Sequence, residues 1–347
     1  MQTCSPVMCD VAGTELTERE RARLRHALVG GLILFARNFT DSAQLRALTN
    51  AIRAERADVL IAVDHEGGRV QRFRGEGFTT LPPMRALGEL AARNEPLALV
   101  MAHAIGLVLA AELLAHGVDL SFAPVLDLDY GCSRAIGDRA LCRDAHLLVR
   151  LAGALTDGMA RAGMRCVGKH FPGHGFVEAD SHVDIPRDER TLAELLAEDA
   201  QPYRAEALGA RLGGVMPAHV IYPAVDAQPA GFSRRWLQDV LRGELGYRGA
   251  IFSDDLSMRA ASVAGDVLAR ADAARRAGCD MVLVCNSPRE ADDLLTLWQP
   301  PEIDGAHARI QALRGDFRRF PSLDALAEDA EYQAARAQVC RFVNDAA

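Results

Sequence analysis

Lysine is almost absent from this sequence. Lys169 is the single lysine among the 39 basic residues of the 347-residue chain, and every other basic residue is an arginine. This ratio indicates a composition biased against lysine codons, so that arginine serves wherever any cation is sufficient. A lysine next to His170 therefore indicates a position that needs a compact ammonium group instead of the planar guanidinium fork, unless it is a chance survivor of the bias.

Other missing features exclude classes of protein. The net charge of -8 disfavours nucleic acid and anionic membranes as partners, because neither is attracted to such a surface as a whole. The first residues, MQTCSPVMCDVAGTEL, lack the basic start and apolar stretch of a secretory signal. The apolar run at 97–113 is helix-periodic and contains His103, so we expect no bilayer span. The eight cysteines form no C-x-x-C pair, which favours free thiols in the cytoplasm over a disulfide framework.

Short apolar runs of β type alternate with helix-periodic segments along the chain. The predicted strands are 6–13, 31–38, 59–67, 120–129, 166–171, 213–220, 249–256 and 280–286. The predicted helical stretches are 41–55, 97–116, 143–164, 191–211, 234–245 and 260–277. Continuous apolar strands separated by helices indicate a covered parallel sheet, and eight such units indicate an α/β fold that closes as a single (β/α)8 TIM-type barrel. We expect one domain over 1–347, with the helices after about 288 packed on the barrel.

Polar residues follow almost every predicted strand. They are Arg37, Asn38, Asp64, Asp127, Asp129, Lys169, His170, His219, Asp254, Asp255 and Asn286. In a (β/α)8 barrel the carboxyl ends of the strands converge on one mouth, where catalytic side chains collect. The chain has no Walker motif and no dinucleotide fingerprint, so we expect chemistry on a polar substrate and no cofactor.

The stretch GKHFPGHGFVEADSH, residues 168–182, first suggests a metal site. His170 and His174 are four residues apart, a spacing that lets two imidazoles on one helix face hold a metal. Pro172 and Gly173 follow the strand directly and argue against a helix there, so the spacing loses this meaning. His219 from another strand end could still be recruited, but the chain contains no His-x-His pair. We therefore expect no metal.

The same stretch contains residues for two arrangements that transfer protons, and the first of them is disfavoured. Ser181 lies between Asp180 and His182, but sequence neighbours rarely form a nucleophile–base–orienter triad, and no G-x-S-x-G elbow is present. Alternatively, Asp180 fixes and polarises His182 for acid–base work while Asp254, at the end of the strand in IFSDDLSM, acts as a separate carboxylate nucleophile. The structural alternative is that Asp180 caps a turn and Asp254 or Asp255 caps the next helix.

Taken together, the motifs closely resemble those of the bacterial β-N-acetylhexosaminidases of glycoside hydrolase family 3. From about 30 to 260 they are, in order, GLILFARNF, AVDHEGGRVQRF, SFAPVLDLD, AIGDRA, GKHFPGHGFVEADSH, GGVMPAHVIYPAVD, GFSRRWL and GAIFSDDLSM. The pair KHFPGHG…DSH and FSDDLSM is highly specific to this group, whereas the first 28 residues and those after about 290 match less distinctively. One departure is His65, where the family often has glutamine.

The resemblance implies a role for each matching residue. Asp254 would be the nucleophile of a retaining mechanism with a covalent glycosyl-enzyme intermediate. His182 would be the general acid/base, held by Asp180. The residues that match family positions holding the terminal N-acetylglucosamine are Asp64, Arg72, Arg139, Lys169 and His170.

The implied activity is removal of non-reducing terminal N-acetylglucosamine from 1,6-anhydromuramoyl peptidoglycan fragments in the cytoplasm, by a monomer. A neutral histidine repels an anionic acceptor less than a carboxylate does, so a β-N-acetylglucosaminide phosphorylase on the same site stays open. A barrel that only binds muropeptides is the non-catalytic alternative. The sequence leaves open the aglycone, the tolerated peptide length, and whether the loop at 173–182 is a lid.

Overall fold

Eight parallel strands form the centre of the computed structural model, which describes residues 5–178 and 186–346. The strands are β1 Val7–Asp10, β2 Val29–Leu34, β3 Leu60–Val63, β4 Leu120–Ser121, β5 Val167–Phe171, β6 Gly214–Pro217, β7 Ala250–Asp255 and β8 Met281–Leu283. Their order is β4-β3-β2-β1-β8-β7-β6-β5. The segment that directly follows β4 closes the barrel against β5, because the Leu126 amide donates to the Lys169 carbonyl at 2.6 Å and the Val167 amide to the Ala123 carbonyl at 2.9 Å. The predicted (β/α)8 barrel is confirmed, with each of its eight strands.

Helices cover the outside of this barrel. They are α1 Glu18–Leu24, α2 Ser42–Glu55, α3 Arg85–Ala115, α4 Ala145–Ala162, α5 Leu192–Ala197, α6 Val267–Ala277, α7 Pro288–Leu297, α8 Ala306–Gln311, α9 Leu323–Glu328 and α10 Ala330–Ala346, with a π-helical segment at Arg235–Glu244. Two short antiparallel hairpins lie above the strands, at His65–Gln71 and Ile221–Pro229. Both follow the carboxyl end of a barrel strand and so help to build the mouth.

Helix α3 joins two helical pieces. Its backbone leaves helical geometry at Asn94, and Pro96 follows, which has no amide hydrogen to donate within a helix. The Asn94 side chain accepts from the Leu97 amide at 3.1 Å and so caps the second piece, which is the predicted helix 97–116. By length and composition α3 could cross a membrane, but 78% of its most apolar window is buried inside the fold. That burial is typical of a core helix.

The predicted helix over 191–211 is wrong as a single element. Helix α5 ends at Ala197 and is followed by a 3₁₀ turn at Gln201–Tyr203 and a π-helical turn at Ala205–Gly209. Pro202 lies in this stretch, and its ring would clash with the carbonyl four residues earlier in a continuous helix. The apolar periodicity continues through the break, because both halves face the same core.

The C-terminal helix α10 is tied to α3 through a buried carboxyl group. The Tyr332 hydroxyl donates to Glu112 at 2.9 Å, and the amide and hydroxyl of Thr79 also donate to that carboxyl group. Arg336 donates to the Thr79 hydroxyl at 3.2 Å. Burial raises the pKa of Glu112 to about 7. The folded protein therefore keeps a proton there that an unfolded chain releases.

We expect Glu112→Gln to change how stability depends on pH. The folded pKa lies above the ordinary value of 4.5, so the stabilisation from the bound proton is complete below that pH and is lost as the pH rises towards 7. Glutamine stays neutral, so relative to wild type its free energy of unfolding should improve by about 2 to 3 kcal/mol between pH 5 and pH 8. Urea unfolding at the two pH values measures this. Exposed Glu89 on the same helix gives the matched Glu89→Gln control, and parallel pH curves for Glu112→Gln and wild type would contradict the expectation.

Candidate active site

A cavity of about 510 Å³ opens at the carboxyl ends of the barrel strands. Its floor consists of barrel side chains such as Ile33, Phe122 and Met216. Every described residue among the predicted site residues lines it, namely Asp64, Arg72, Arg139, Lys169, His170 and Asp254. Asp180 and His182, the predicted acid–base pair, lie outside the described residues. Six side chains from four separate parts of the sequence therefore meet in one place.

The single lysine of the chain lies in the wall of this cavity. Lys169 is 3% exposed, and its Nζ lies 2.7 Å from Asp64 Oδ1 and 2.7 Å from Glu66 Oε1. Burial alone would lower the pKa of Lys169, but the charges of Asp64 and Glu66 outweigh it and raise the pKa. Lys169 therefore stays an ammonium ion, and two of its three N–H bonds are used by these carboxylates.

Glu66 connects this lysine to an arginine. Arg139 donates to both oxygens of Glu66, each at 2.8 Å, in a bidentate pair. Burial alone would raise the pKa of Glu66, but Arg139 and Lys169 together hold it well below its usual range. On the other side, Arg72 Nη2 lies 3.6 Å from Asp64 Oδ2. Three cations and two carboxylates thus form one continuous charged wall.

His170 is oriented by a buried carboxylate. Its Nδ1 lies 2.7 Å from Asp127 Oδ2, and the other Asp127 oxygen accepts from the His174 amide at 2.6 Å. Burial would raise the pKa of Asp127, but its electrostatic interaction with His170 and its hydrogen bonds to His170 and His174 lower that pKa. Since Nδ1 is engaged by Asp127, it is Nε2 of His170 that is left for contacts other than Asp127. His174 also borders the cavity.

The two adjacent carboxyl groups at the end of β7 have different surroundings. Asp255 accepts from the Ser257 amide at 2.9 Å, the Ser257 hydroxyl at 2.7 Å and the Cys285 amide at 3.1 Å. Burial raises the pKa of Asp255 to about 6, and the neighbouring Asp254 charge adds to this. Asp254 lines the cavity, with Oδ1 2.7 Å from the Asp255 amide. The fold thus uses the Asp255 carboxyl to join β7 to β8.

His65, the departure from the family pattern, lies outside this polar wall. It is completely buried, with its ring 5.9 Å from that of Phe73 and 5.5 Å from that of Phe78. Burial lowers its pKa to about 3, so the imidazole is neutral. The substitution therefore changes an aromatic cluster beside the cavity and leaves Asp64 in the charged wall.

Sequence reasoning missed Glu66, Arg69 and Arg134 as residues that line the cavity. Glu66 follows Asp64 by two residues in AVDHEGGRV, which places both on one side of an extended segment. That spacing was the available signal. No pattern in the sequence joins Glu66 to Arg139, because 73 residues separate them.

Within the described residues, no group of three or more histidine, cysteine, aspartate or glutamate side chains is arranged to hold a metal ion. His170 and His174 do not act as a pair of ligands on one helix face, since they flank an irregular turn with ring centroids 6.0 Å apart. The four-residue spacing that first suggested a metal site therefore does not place the two imidazoles on one helix face.

Comparison with known proteins gives the same assignment as the motifs. Residues 7–336 match the glycosyl hydrolase family 3 N-terminal domain. A beta-hexosaminidase of Aromatoleum aromaticum is 61% identical over 345 residues, covering 99% of this chain and 96% of the relative. One of Bordetella avium is 60% identical over 335 residues, covering 95% and 94%.

Solved structures are similar over nearly the whole chain. Native NagZ from Neisseria gonorrhoeae has a TM-score of 0.91 at 46% identity, covering 97% of each chain. The same enzyme in complex with N-trifluoroacetyl-D-glucosamine has the same values, and its complex with a zinc ion has a TM-score of 0.89 at 45% identity, covering 97% of each chain. The family resemblance of the motifs is confirmed. The chain therefore belongs to glycosyl hydrolase family 3, among its NagZ-type β-hexosaminidases, and is a glycosidase.

Proposed function

We propose that the enzyme is a retaining exo-β-N-acetylglucosaminidase that removes terminal N-acetylglucosamine from 1,6-anhydromuramoyl peptidoglycan fragments through a covalent glycosyl-enzyme intermediate. The observation that carries this is the cavity itself. A wall of alternating carboxylates and cations faces one side of it, and Asp254 lies at the end of β7 on another. Such a pocket with a closed floor suits the end of a saccharide chain.

Asp254 is the proposed nucleophile. Support comes from the match of FSDDLSM to the family motif, in which Asp254 holds the position of the nucleophile, and from the location of Asp254 at a strand end on the cavity. Asp255 also borders the cavity, but its carboxyl group links β7 to the chain after β8 through the Ser257 and Cys285 donors. The carboxylate attacks the anomeric carbon from the face opposite the aglycone, which leaves with a proton, and a glycosyl ester of inverted configuration results. Water then loses a proton and attacks the anomeric carbon from the face that the aglycone left, which releases the carboxylate and restores the original configuration.

His182 is the proposed proton donor and acceptor, with Asp180 orienting it. Support comes from the match of KHFPGHG…DSH to the family motif. An imidazole that takes the proton from water is neutral beforehand, so it does not repel the carboxylate of a muramic acid as a glutamate would.

The charged wall is proposed to hold the sugar. Asp64 accepts from hydroxyl groups, and Lys169 has one N–H bond beyond those used by Asp64 and Glu66. Arg72, Arg139 and His170 complete the set, with Arg139 held by Glu66. The Neisseria enzyme's complex with an N-acylated glucosamine supports this class of ligand.

Product analysis tests the proposal. N-acetylglucosaminyl-1,6-anhydro-N-acetylmuramic acid is incubated with the enzyme with and without phosphate, and the first product is followed by NMR. We expect β-N-acetylglucosamine in both buffers, with unchanged rates after EDTA treatment, because the proposed mechanism uses no metal. N-acetylglucosamine 1-phosphate as the main product would instead show a phosphorylase. Binding without release of a sugar would show a binding barrel, and loss of activity to EDTA would show a metal-dependent enzyme.

We also propose that the chain forms one domain over 1–347, works as a monomer in the cytoplasm, and has no nucleic acid or membrane partner. The seven cysteines among the described residues are all free, which supports a reducing compartment. The net charge of -8 supports the absence of polyanionic partners.

A further inference from the structure

We propose that Arg190 is a positioning residue that holds together the two ends of the segment carrying Asp180 and His182. The proposal rests on the acid–base role assigned to His182 above. It concerns the described residues on either side of 179–185, which are in contact with each other although that segment separates them in sequence. Arg190 makes this contact through the ring of Phe176.

Several contacts fix the part of the chain before the segment, among them the hydrogen bond of the His174 amide to Asp127. The Tyr222 hydroxyl donates to the Gly173 carbonyl at 2.7 Å. Gly175 lies against the Leu128 carbonyl so closely that a Cβ atom there would collide with it. The ring of Phe176, 42% exposed, meets the Tyr130 ring edge to face at 5.1 Å.

The part after the segment is fixed to the hairpin that follows β6. The Ile221 amide donates to the Pro186 carbonyl at 3.0 Å, and the Asp188 amide donates to the Ile221 carbonyl at 2.9 Å. Ile221 and Tyr222 are neighbours, so a single hairpin strand contacts the chain on both sides of the segment. This strand pairs through its Ile221 backbone with the chain after the segment, and through the Tyr222 hydroxyl with the chain before it.

Arg190 links the two sides directly. Its Nε and Nη2 form a bidentate pair with Asp188, at 3.0 and 2.7 Å, and its Nη1 lies 2.7 Å from Asp199 Oδ2. The face of the same guanidinium lies 4.0 Å above the Phe176 ring and 5.0 Å from the Tyr130 ring. The guanidinium group thus donates from its N–H edge to two carboxylates while its flat face stacks on an aromatic ring, a combination that the ammonium group of a lysine cannot provide.

This arrangement has a consequence for catalysis. A proton donor is effective only when it is within hydrogen-bond reach of the leaving oxygen, and small displacements are costly. Loosening Phe176 from Arg190 removes a direct contact between the two sides of the segment, while Asp254 and the charged wall keep their contacts. The proton transfer should suffer, and sugar binding should not.

The test uses substrates with different needs for protonation. Values of kcat/KM, which report formation of the glycosyl-enzyme, are measured for 2,4-dinitrophenyl and 4-methoxyphenyl N-acetyl-β-glucosaminides. Arg190→Lys keeps a cation between the buried carboxylates of Asp188 and Asp199, so the fold is not left with unpaired charges. Phe176→Leu removes the aromatic ring and leaves every charged residue unchanged. For both variants we expect a loss of about tenfold or more on the methoxyphenyl substrate and little loss on the dinitrophenyl substrate.

Arg143→Lys is the matched control. Arg143 lies 4.1 Å above the Tyr130 ring and pairs with Glu198, and neither contact involves Phe176 or Asp188. This variant should behave as wild type on both substrates. Equal losses on both substrates, or no loss, in Arg190→Lys and Phe176→Leu would overturn the positioning role. His182→Ala is assayed in parallel. Equal losses of kcat/KM on both substrates in His182→Ala would contradict the acid role of His182, whatever the result for the Arg190 and Phe176 variants.

Discussion

Asp254→Ala is expected to reduce turnover of an aryl N-acetyl-β-glucosaminide by about 10⁴-fold or more, because no covalent intermediate can form without a nucleophile. The loss should appear with good and poor leaving groups alike, since the bond to the carboxylate is needed whatever departs. Steady-state kinetics with the dinitrophenyl substrate measure it. Asp255→Asn is the matched control: it changes the adjacent carboxyl, and its oxygen can still accept from Ser257.

Azide distinguishes loss of the nucleophile from misfolding as the cause of inactivity. In Asp254→Ala, a small anion can occupy the space of the lost carboxylate and attack the anomeric carbon directly. One displacement gives the α-glycosyl azide, so rescue with inverted configuration is the expected outcome. If Asp255→Asn proves equally inactive and Asp254→Ala is not rescued, the nucleophile has been assigned to the wrong residue.

The fold was predictable because its strands carry their own signal. Buried parallel strands are apolar on both faces, so runs such as 31–38 and 249–256 are evident without any partner. The same reasoning failed over 191–211, where Pro202 breaks a pattern that otherwise reads as one helix. It also gave β4 too long, since the regular strand ends at Ser121 and the chain beyond it continues as irregular backbone around Pro124, which has no amide hydrogen to donate.

The site was predictable only in part. Strand ends and family motifs indicated Asp64, Lys169 and Asp254, which the fold then brings to one cavity. The partners of these residues were not predictable, because pairs such as Lys169 with Asp64 span 105 residues and the sequence contains no record of that distance. Glu66 is the clearest case, since its importance comes entirely from the two cations that it contacts.

Lys169→Arg is expected to reduce kcat/KM by about 10²-fold or more, although the positive charge is kept. The ammonium lies between Asp64 and Glu66 at 2.7 Å from each and is 3% exposed. Arg139 already uses the bidentate edge of Glu66. A larger guanidinium therefore has to displace Arg139 or extend into the space proposed for the sugar.

Comparison with Lys169→Met shows whether charge or shape matters at this position. The methionine variant removes the charge and leaves Asp64 and Glu66 facing each other, so it should be at least as inactive as Lys169→Arg. Urea unfolding of both variants shows whether each is folded at the assay temperature, and N-acetylglucosamine binding by calorimetry should weaken in parallel with kcat/KM. If Lys169→Arg keeps most of the wild-type activity and affinity, the lysine is only a survivor of the codon bias. If folded Lys169→Arg is as inactive as Lys169→Met, the only lysine of the chain is there because a compact cation is the one that fits.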